Sequence, residues 1–256
     1  MYHFQTHFRV VTALIVREMS ARFGNKPGGY IWALLEPMAY IAFMTVLFGA
    51  ISHTPALGTS FPMFFATGYI SYQFYSGTVA YTMRAVAFNR NMLQYPNVAP
   101  FDTVVARFIL QSLTMAVVAI FVLGLIEEVS FSMVWVDAQV VIDAAAVASL
   151  LALGMAMTNN VLFARYPLYE KIYGIFTRPL FMLTGIFYLP EMIPSPFRDI
   201  LLLNPLVHVV MKFRTGFYPE YRALDLDMNY ACTFALVVFT FGFTTFTLGR
   251  KTLRGR

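Results

Sequence analysis

The chain has 256 residues, of which 59% are hydrophobic and 12% charged, and 18 Lys and Arg outnumber 13 Asp and Glu. Soluble domains carry about 25% charged residues, so this composition excludes an ordinary soluble enzyme. The net charge of +5 does not imply a nucleic-acid partner, because the basic residues border the apolar runs instead of forming a phosphate-tracking face.

Before the first apolar run, His3, His7, Arg9, Arg17 and Glu18 break up any core of a cleavable signal, so insertion is expected to begin at the first span. Phe4, Phe8, Val11, Ile15 and Met19 recur at helical spacing, while Arg9, Arg17 and Ser20 point elsewhere. Residues 1–28 are therefore expected to form an amphipathic helix on the cytosolic membrane surface, with Gly24, Pro27, Gly28 and Gly29 turning the chain into the bilayer. Arg22 falls on the apolar stripe, which leaves a frayed leader as the other reading.

Six runs follow, Gly29 to Ile51, Phe61 to Met83, Phe108 to Ile126, Ala144 to Phe163, Ile172 to Leu189 and Asn229 to Gly249. Each is close to the roughly 20 residues a membrane helix needs, and lipid requires backbone amides to be satisfied within the segment. The expected fold is an all-α polytopic membrane protein of six transmembrane helices. It is expected to be one transmembrane domain, with residues 29–249 in the membrane and 250–256 as a tail.

Only the first and fifth runs contain a charge, Glu36 and Arg178, each about 10 Å from its cytosolic end. Both should face the bundle interior or a water-filled passage, and an ion pair between them would offset the cost of immersion. Each precedes a proline, Pro37 and Pro179, which weakens the backbone ladder nearby. The second run adds Tyr69, Tyr72, Gln73, Tyr75 and Tyr81. Rings bearing hydroxyls suit sugar faces, although tyrosine also gathers at membrane interfaces for other reasons.

Between the second and third runs, Ala85 to Asp102 mixes Asn89, Arg90 and Asn91 with Phe88, Met92 and Leu93, then meets Pro96 and Pro100. A short amphipathic helix is expected there, either receiving force from a soluble partner or serving as a connector. Between the fifth and sixth runs, Leu189 to Tyr221 contains Pro190, apolar Ile200 to Leu203, Asn204, Pro205, and Leu206 to Met211. These pieces are too short to span and too apolar for a solvated loop, so they read as outer re-entrant or interfacial helices, or as a small cap on the bundle.

Thirteen Lys and Arg fall on one side, at both ends of the chain and in the second and fourth connections, against four in the long loop opposite. Both termini are expected in the cytosol. No phosphate-binding loop, metal-ligand spacing or nucleophile elbow occurs in the sequence, and the single Cys232 precludes an intrachain disulfide. A membrane-embedded enzyme would rest on Asp137 and Asp143 alone. A secondary transporter or channel would be expected to show internal repeats or mid-membrane carboxylates, and neither is evident.

Two blocks add specificity. Arg17-Glu18-Met19-Ser20-Ala21-Arg22 with Gly29-Tyr30-Ile31-Trp32-Ala33-Leu34-Leu35-Glu36-Pro37 resembles the start of permease subunits of type 2 ABC exporters, above all those for capsular polysaccharide, with O-antigen and teichoic acid permeases as relatives. Asn91-Met92-Leu93-Gln94-Tyr95-Pro96 and Asn204-Pro205-Leu206-Val207-His208 with Arg214 extend the likeness over nearly the whole chain. The resemblance implies a permease of a bacterial inner membrane with no ATPase or cofactor of its own, since a separate ATP-binding subunit would hold ATP and magnesium. That subunit would couple through Arg17, Glu18, Arg22, Phe88, Asn91, Met92, Leu93 and Tyr95. A second copy would complete a passage lined by Glu36, Arg178, Tyr69, Tyr72, Gln73 and Tyr75, and Pro190, Asn204, Pro205, His208 and Arg214 would shape the outer exit. The cargo would be a polysaccharide, with or without a lipid anchor, handed to periplasmic and outer-membrane export proteins.

Overall fold

The computed structural model describes residues 2–23, 28–95, 97–130 and 136–253, which form helices and turns without a strand. Parts of the expected features, namely Gly24, Pro27, Pro96 and the end of the basic tail, lie outside the described residues.

The chain opens with α1 (Tyr2–Phe23), 22 residues long. Gly28 and Gly29 then take left-handed backbone at φ +90° and +47°, a conformation open to glycine without a Cβ clash, and redirect the chain. The spanning candidates α2 (Ile31–Ile51), α5 (Pro100–Ser130), α6 (Ala138–Arg165) and α10 (Met228–Leu248) are all long and apolar enough to cross a membrane. α3 (Phe61–Thr82) has the length, with 22 residues, but is diluted by tyrosine, threonine and serine. α7 (Pro167–Met182) has 16 residues and a reach of roughly 24 Å, so the fifth apolar run is not one continuous helix to Leu189. Its backbone leaves the helix after Met182, with Gly185 at φ +75°, and the rest of the apolar run is irregular.

The connection after α3 is also less regular than an amphipathic helix. It consists of a single turn, α4 (Ala85–Phe88), and a 3-10 turn at Met92–Gln94. Pro100 does not end a helix but begins α5, a first-turn position where its missing N–H is no loss. In the long connection between α7 and α10, a 3-10 turn at Pro190–Met192 precedes α8 (Phe197–Leu202) and α9 (Pro205–Thr215). Asn204 caps α9 by accepting from the Leu206 N–H at 3.1 Å. α9 is a core element, because Pro205 to Met211, Phe213 and Arg214 are all buried against α3, α6 and α10. A last turn, α11 (Arg250–Leu253), follows α10.

Asp137 and Asp227 cap α6 and α10, each accepting backbone N–H bonds from the first turn. Asp137 thus serves as a helix cap. α6 and α10 pack along a row of small residues, Ala144, Ala148, Ala152 and Gly154 facing Ala231, Ala235 and Gly242. The backbones come so close that a Cβ on Gly242 would stand 2.1 Å from the Gly154 carbonyl oxygen. Small residues allow this approach where lipid supplies no hydrophobic drive between helices. α3 is the hub, packed on α2, α5, α6 and α9. α2 buries only Pro37 and Ile41, and α7 buries no residue, so these two form a loose outer wall.

Candidate functional site

Two sites emerge, a joint of charged side chains where α1 meets α5 and a groove between α2, α3, α5 and α7. The buried face of α1 is not its apolar stripe. Leu14 and Glu18 are buried, whereas Phe8 and Met19 are 68% and 39% exposed and remain available to lipid.

Glu18 is 2% exposed and faces Arg107 of α5, whose Nε lies 3.0 Å from Glu18 Oε1, off the N–H axis. The same carboxylate accepts from the Tyr81 hydroxyl at 3.0 Å and from Asn89 Nδ2 at 2.6 Å. Arg17 donates to Asn89 Oδ1 at 2.5 Å, and Arg22 donates to Gln111 Oε1 at 2.5 Å. Arg107 stacks on the rings of Tyr81 and Phe88, and Arg22 lies 4.2 Å from the Tyr81 centroid. Burial pushes the Arg22 guanidinium below its ordinary value, while Tyr81 acts in the opposite sense. The joint therefore gathers α1, the end of α3, α4 and α5 around one carboxylate.

Of the eight coupling residues expected from sequence, this joint unites Arg17, Glu18, Arg22 and Phe88. Met92 and Leu93 are half-buried, and Asn91 and Tyr95 stand exposed on the adjoining surface, outside the network. Tyr81, Asn89, Arg107 and Gln111 are the partners that sequence reasoning left without this role. Asn160 is another, since it donates to the Thr82 carbonyl at 2.9 Å, accepts the Val86 N–H at 3.1 Å and so pins the turn after α3. The available signal was polarity, because Gln111 and Asn160 sit within apolar runs and Arg107 borders one.

The groove encloses about 720 Å³, and all six residues expected to line a passage do line it: Glu36, Arg178, Tyr69, Tyr72, Gln73 and Tyr75. Tyr40 joins them and stacks on Tyr69 at 4.3 Å between centroids. Gln73 donates to the Tyr69 hydroxyl at 2.7 Å and accepts from Ser76 at 2.8 Å, which fixes its amide. The Tyr40 hydroxyl is buried without a hydrogen-bond partner among the described residues. Glu36 and Arg178 border the same space from α2 and α7, but no ion pair joins them. The expected pairing is therefore absent within one chain, because the groove lies between the two helices that carry the charges.

Arg214 is 0% exposed and clamps the irregular chain after α7. It donates through Nη1 to the Gly185 carbonyl at 2.8 Å and that of Tyr188 at 3.3 Å, and through Nη2 to that of Ile186 at 2.8 Å. Asn204 Nδ2 holds the Leu183 carbonyl at 3.0 Å. His208 donates from Nε2 to the Leu202 carbonyl at 2.8 Å and accepts the Asp227 N–H on Nδ1 at 3.1 Å, which assigns its neutral tautomer. Pro190 is buried and Pro205 opens α9, so all five expected outer residues belong to one packed region.

Residues 9–218 match the model of the family described as ABC-2 type transporter. The polysialic acid transport protein KpsM of Escherichia coli is 30% identical over 246 residues, with 93% of each chain covered. The capsule polysaccharide export inner-membrane protein CtrC of Neisseria meningitidis is 24% identical, covering 82% of this chain and 79% of its own. The corresponding protein BexB of Haemophilus influenzae is 22% identical, covering 83% and 80%.

Proposed function

Because the chain belongs to the ABC-2 type transporter family, we propose that it is the membrane-spanning permease of an ATP-driven exporter that moves capsular polysaccharide across a bacterial inner membrane. A separate ATP-binding subunit supplies the hydrolysis and holds the nucleotide and magnesium. This chain contributes the path and the linkage that opens it.

In the geometry, one observation carries the coupling: Arg22 belongs to both sites. It lies on α1, bonds Gln111 of α5 and lines the groove. A push on α1 or on the surface around Asn91 to Tyr95 reaches the groove wall through the Glu18 joint, without a flexible linker between them. Arg84 and Glu170 add an ion pair from the same connection to the start of α7.

The finer reading completes the membrane picture. α3 and α7 cross with the four apolar helices, giving six spans, and α8 and α9 form the re-entrant outer rim. Both termini and the α4 connection face the cytosol. A second copy of the chain closes the groove, which shields Glu36 and Arg178 from lipid. Stacked tyrosine rings then meet the sugar rings of a passing polymer. Periplasmic and outer-membrane export proteins receive the chain beyond the rim.

Deleting the gene in a capsulated host tests the reading. Polymer should accumulate in the cytosol, and complementation by the intact chain should restore it to the surface. Normal surface capsule in the deletion strain would refute it.

A further inference from the structure

A second pocket of about 590 Å³ opens between the start of α1, the first turn of α5 and the junction of α10 with α11. Its walls are His7, Pro100, Phe101, Phe246, Arg250 and Lys251. Arg250 and Lys251 are exposed, and among the described residues neither is in an ion pair. Asp102, the acid next to Phe101 in the chain, is not paired with either of them. Its oxygens accept from His7 Nδ1 at 3.0 and 3.1 Å and from the Ala99 N–H at 2.9 Å, and its side chain is 4% exposed. The pocket therefore carries two positive charges outside any ion pair among the described residues, over an aromatic floor where Phe101 meets Phe243 and Phe246 edge-on.

Its level in the bundle is informative. The apolar run of α10 ends at Leu248, just before Arg250, and Phe243 on the pocket side is 44% exposed. Cations directly beyond an open apolar surface match a phosphodiester headgroup joined to acyl chains, and basic pockets between membrane helices suit such headgroups. We propose that this pocket binds the phosphate headgroup of an anionic phospholipid, with Arg250 and Lys251 on the phosphate and the acyl chains along Phe243. The bound lipid braces the beginning of α1 against α5 and α10, the same helix whose far half carries the Glu18 joint. The inference rests on the membrane reading of the chain but not on its cargo.

The test uses the permease purified with its ATP-binding subunit and exposed to mixed micelles of phosphatidylglycerol and phosphatidylcholine, with retained lipid read by native mass spectrometry. Phosphatidylglycerol should be retained selectively. Replacing Arg250→Gln and Lys251→Gln together should weaken retention about 25-fold, at about five-fold per basic residue, whereas Arg250→Lys with Lys251→Arg should preserve it. Equal retention of phosphatidylcholine, or unchanged retention by the glutamine pair, would overturn the proposal. So would inorganic phosphate displacing the lipid at comparable concentration, since that would identify the site as one for a free anion. If the glutamine pair fails to assemble, a phosphatidylglycerol with a photoreactive headgroup decides on the wild-type complex. Crosslinking to the peptide containing Phe246 supports the site, and crosslinking confined elsewhere rejects it. Loss of the lipid site with normal capsule export would leave the transport reading intact.

Discussion

Glu18 of α1 and Arg107 of α5, separated in sequence by all of α2, α3 and α4, face each other at 3.0 Å with side chains 3% and 6% exposed. Two charges removed from water in this way stabilise a structure only while both are present, because either alone is a buried uncompensated ion. Glu18→Gln is therefore expected to destabilise the protein by on the order of 3 kcal/mol. Adding Arg107→Gln should recover part of that loss. Thermal unfolding of the single and double variants in detergent measures the coupling, and strict additivity would show that the pair does not act as a unit. In variants that still assemble, ATP hydrolysis should persist while export falls.

Tyr69 offers its ring to Tyr40 and its hydroxyl to Gln73, so the two contributions separate by substitution. Tyr69→Phe keeps the stack and should retain most export. Tyr69→Ala removes it and should lower export about ten-fold. Surface polysaccharide per permease molecule is the measurement, and equal activity of the two variants would remove the ring from the transport path.

Gly242 has no room for a side chain, because an added Cβ would lie 2.1 Å from the Gly154 carbonyl oxygen. Gly242→Ala is expected to part α6 and α10 and to cost about 1–3 kcal/mol. Gly49 has nothing within 4 Å of such a Cβ, so Gly49→Ala on α2 is the matched control and should leave the melting temperature unchanged.

Membrane orientation is open to labelling. With Cys232, the sole cysteine, replaced by serine, a cysteine at exposed Asn91 should react only with permeant reagent. A cysteine at exposed Glu128, near the end of α5, should react from outside. The reverse pattern would invert the topology and place the lipid pocket on the other leaflet.

The helices were largely legible because lipid-facing segments must be both apolar and long, and that requirement writes itself into composition. The fifth run shows where composition stops. Leu183 to Tyr188 is as apolar as a helix, yet its backbone is irregular because Arg214, distant in sequence, supplies the donors its carbonyls need. The protein-facing side of α1 was not legible for a related reason. Apolar periodicity marks the side turned toward lipid, whereas the side turned toward protein carries Glu18 and Arg22, whose partners lie on other helices. The groove was the most legible site, since polar rings and charges within apolar runs have few other places to go. The pairing of Glu36 with Arg178 was not legible, because similar depth along two helices does not fix the gap between them.

The contact of Gly154 with Gly242 has a mechanical consequence. Helices joined backbone to backbone form a stator, with no side-chain cushion to compress, and α3 and α9 are bolted to it. α2 and α7, of which only Pro37 and Ile41 are buried, are the panels least embedded in that frame. On the proposed transport reading, the girth of polymer admitted would be governed by how far those two panels tilt against the frame behind them.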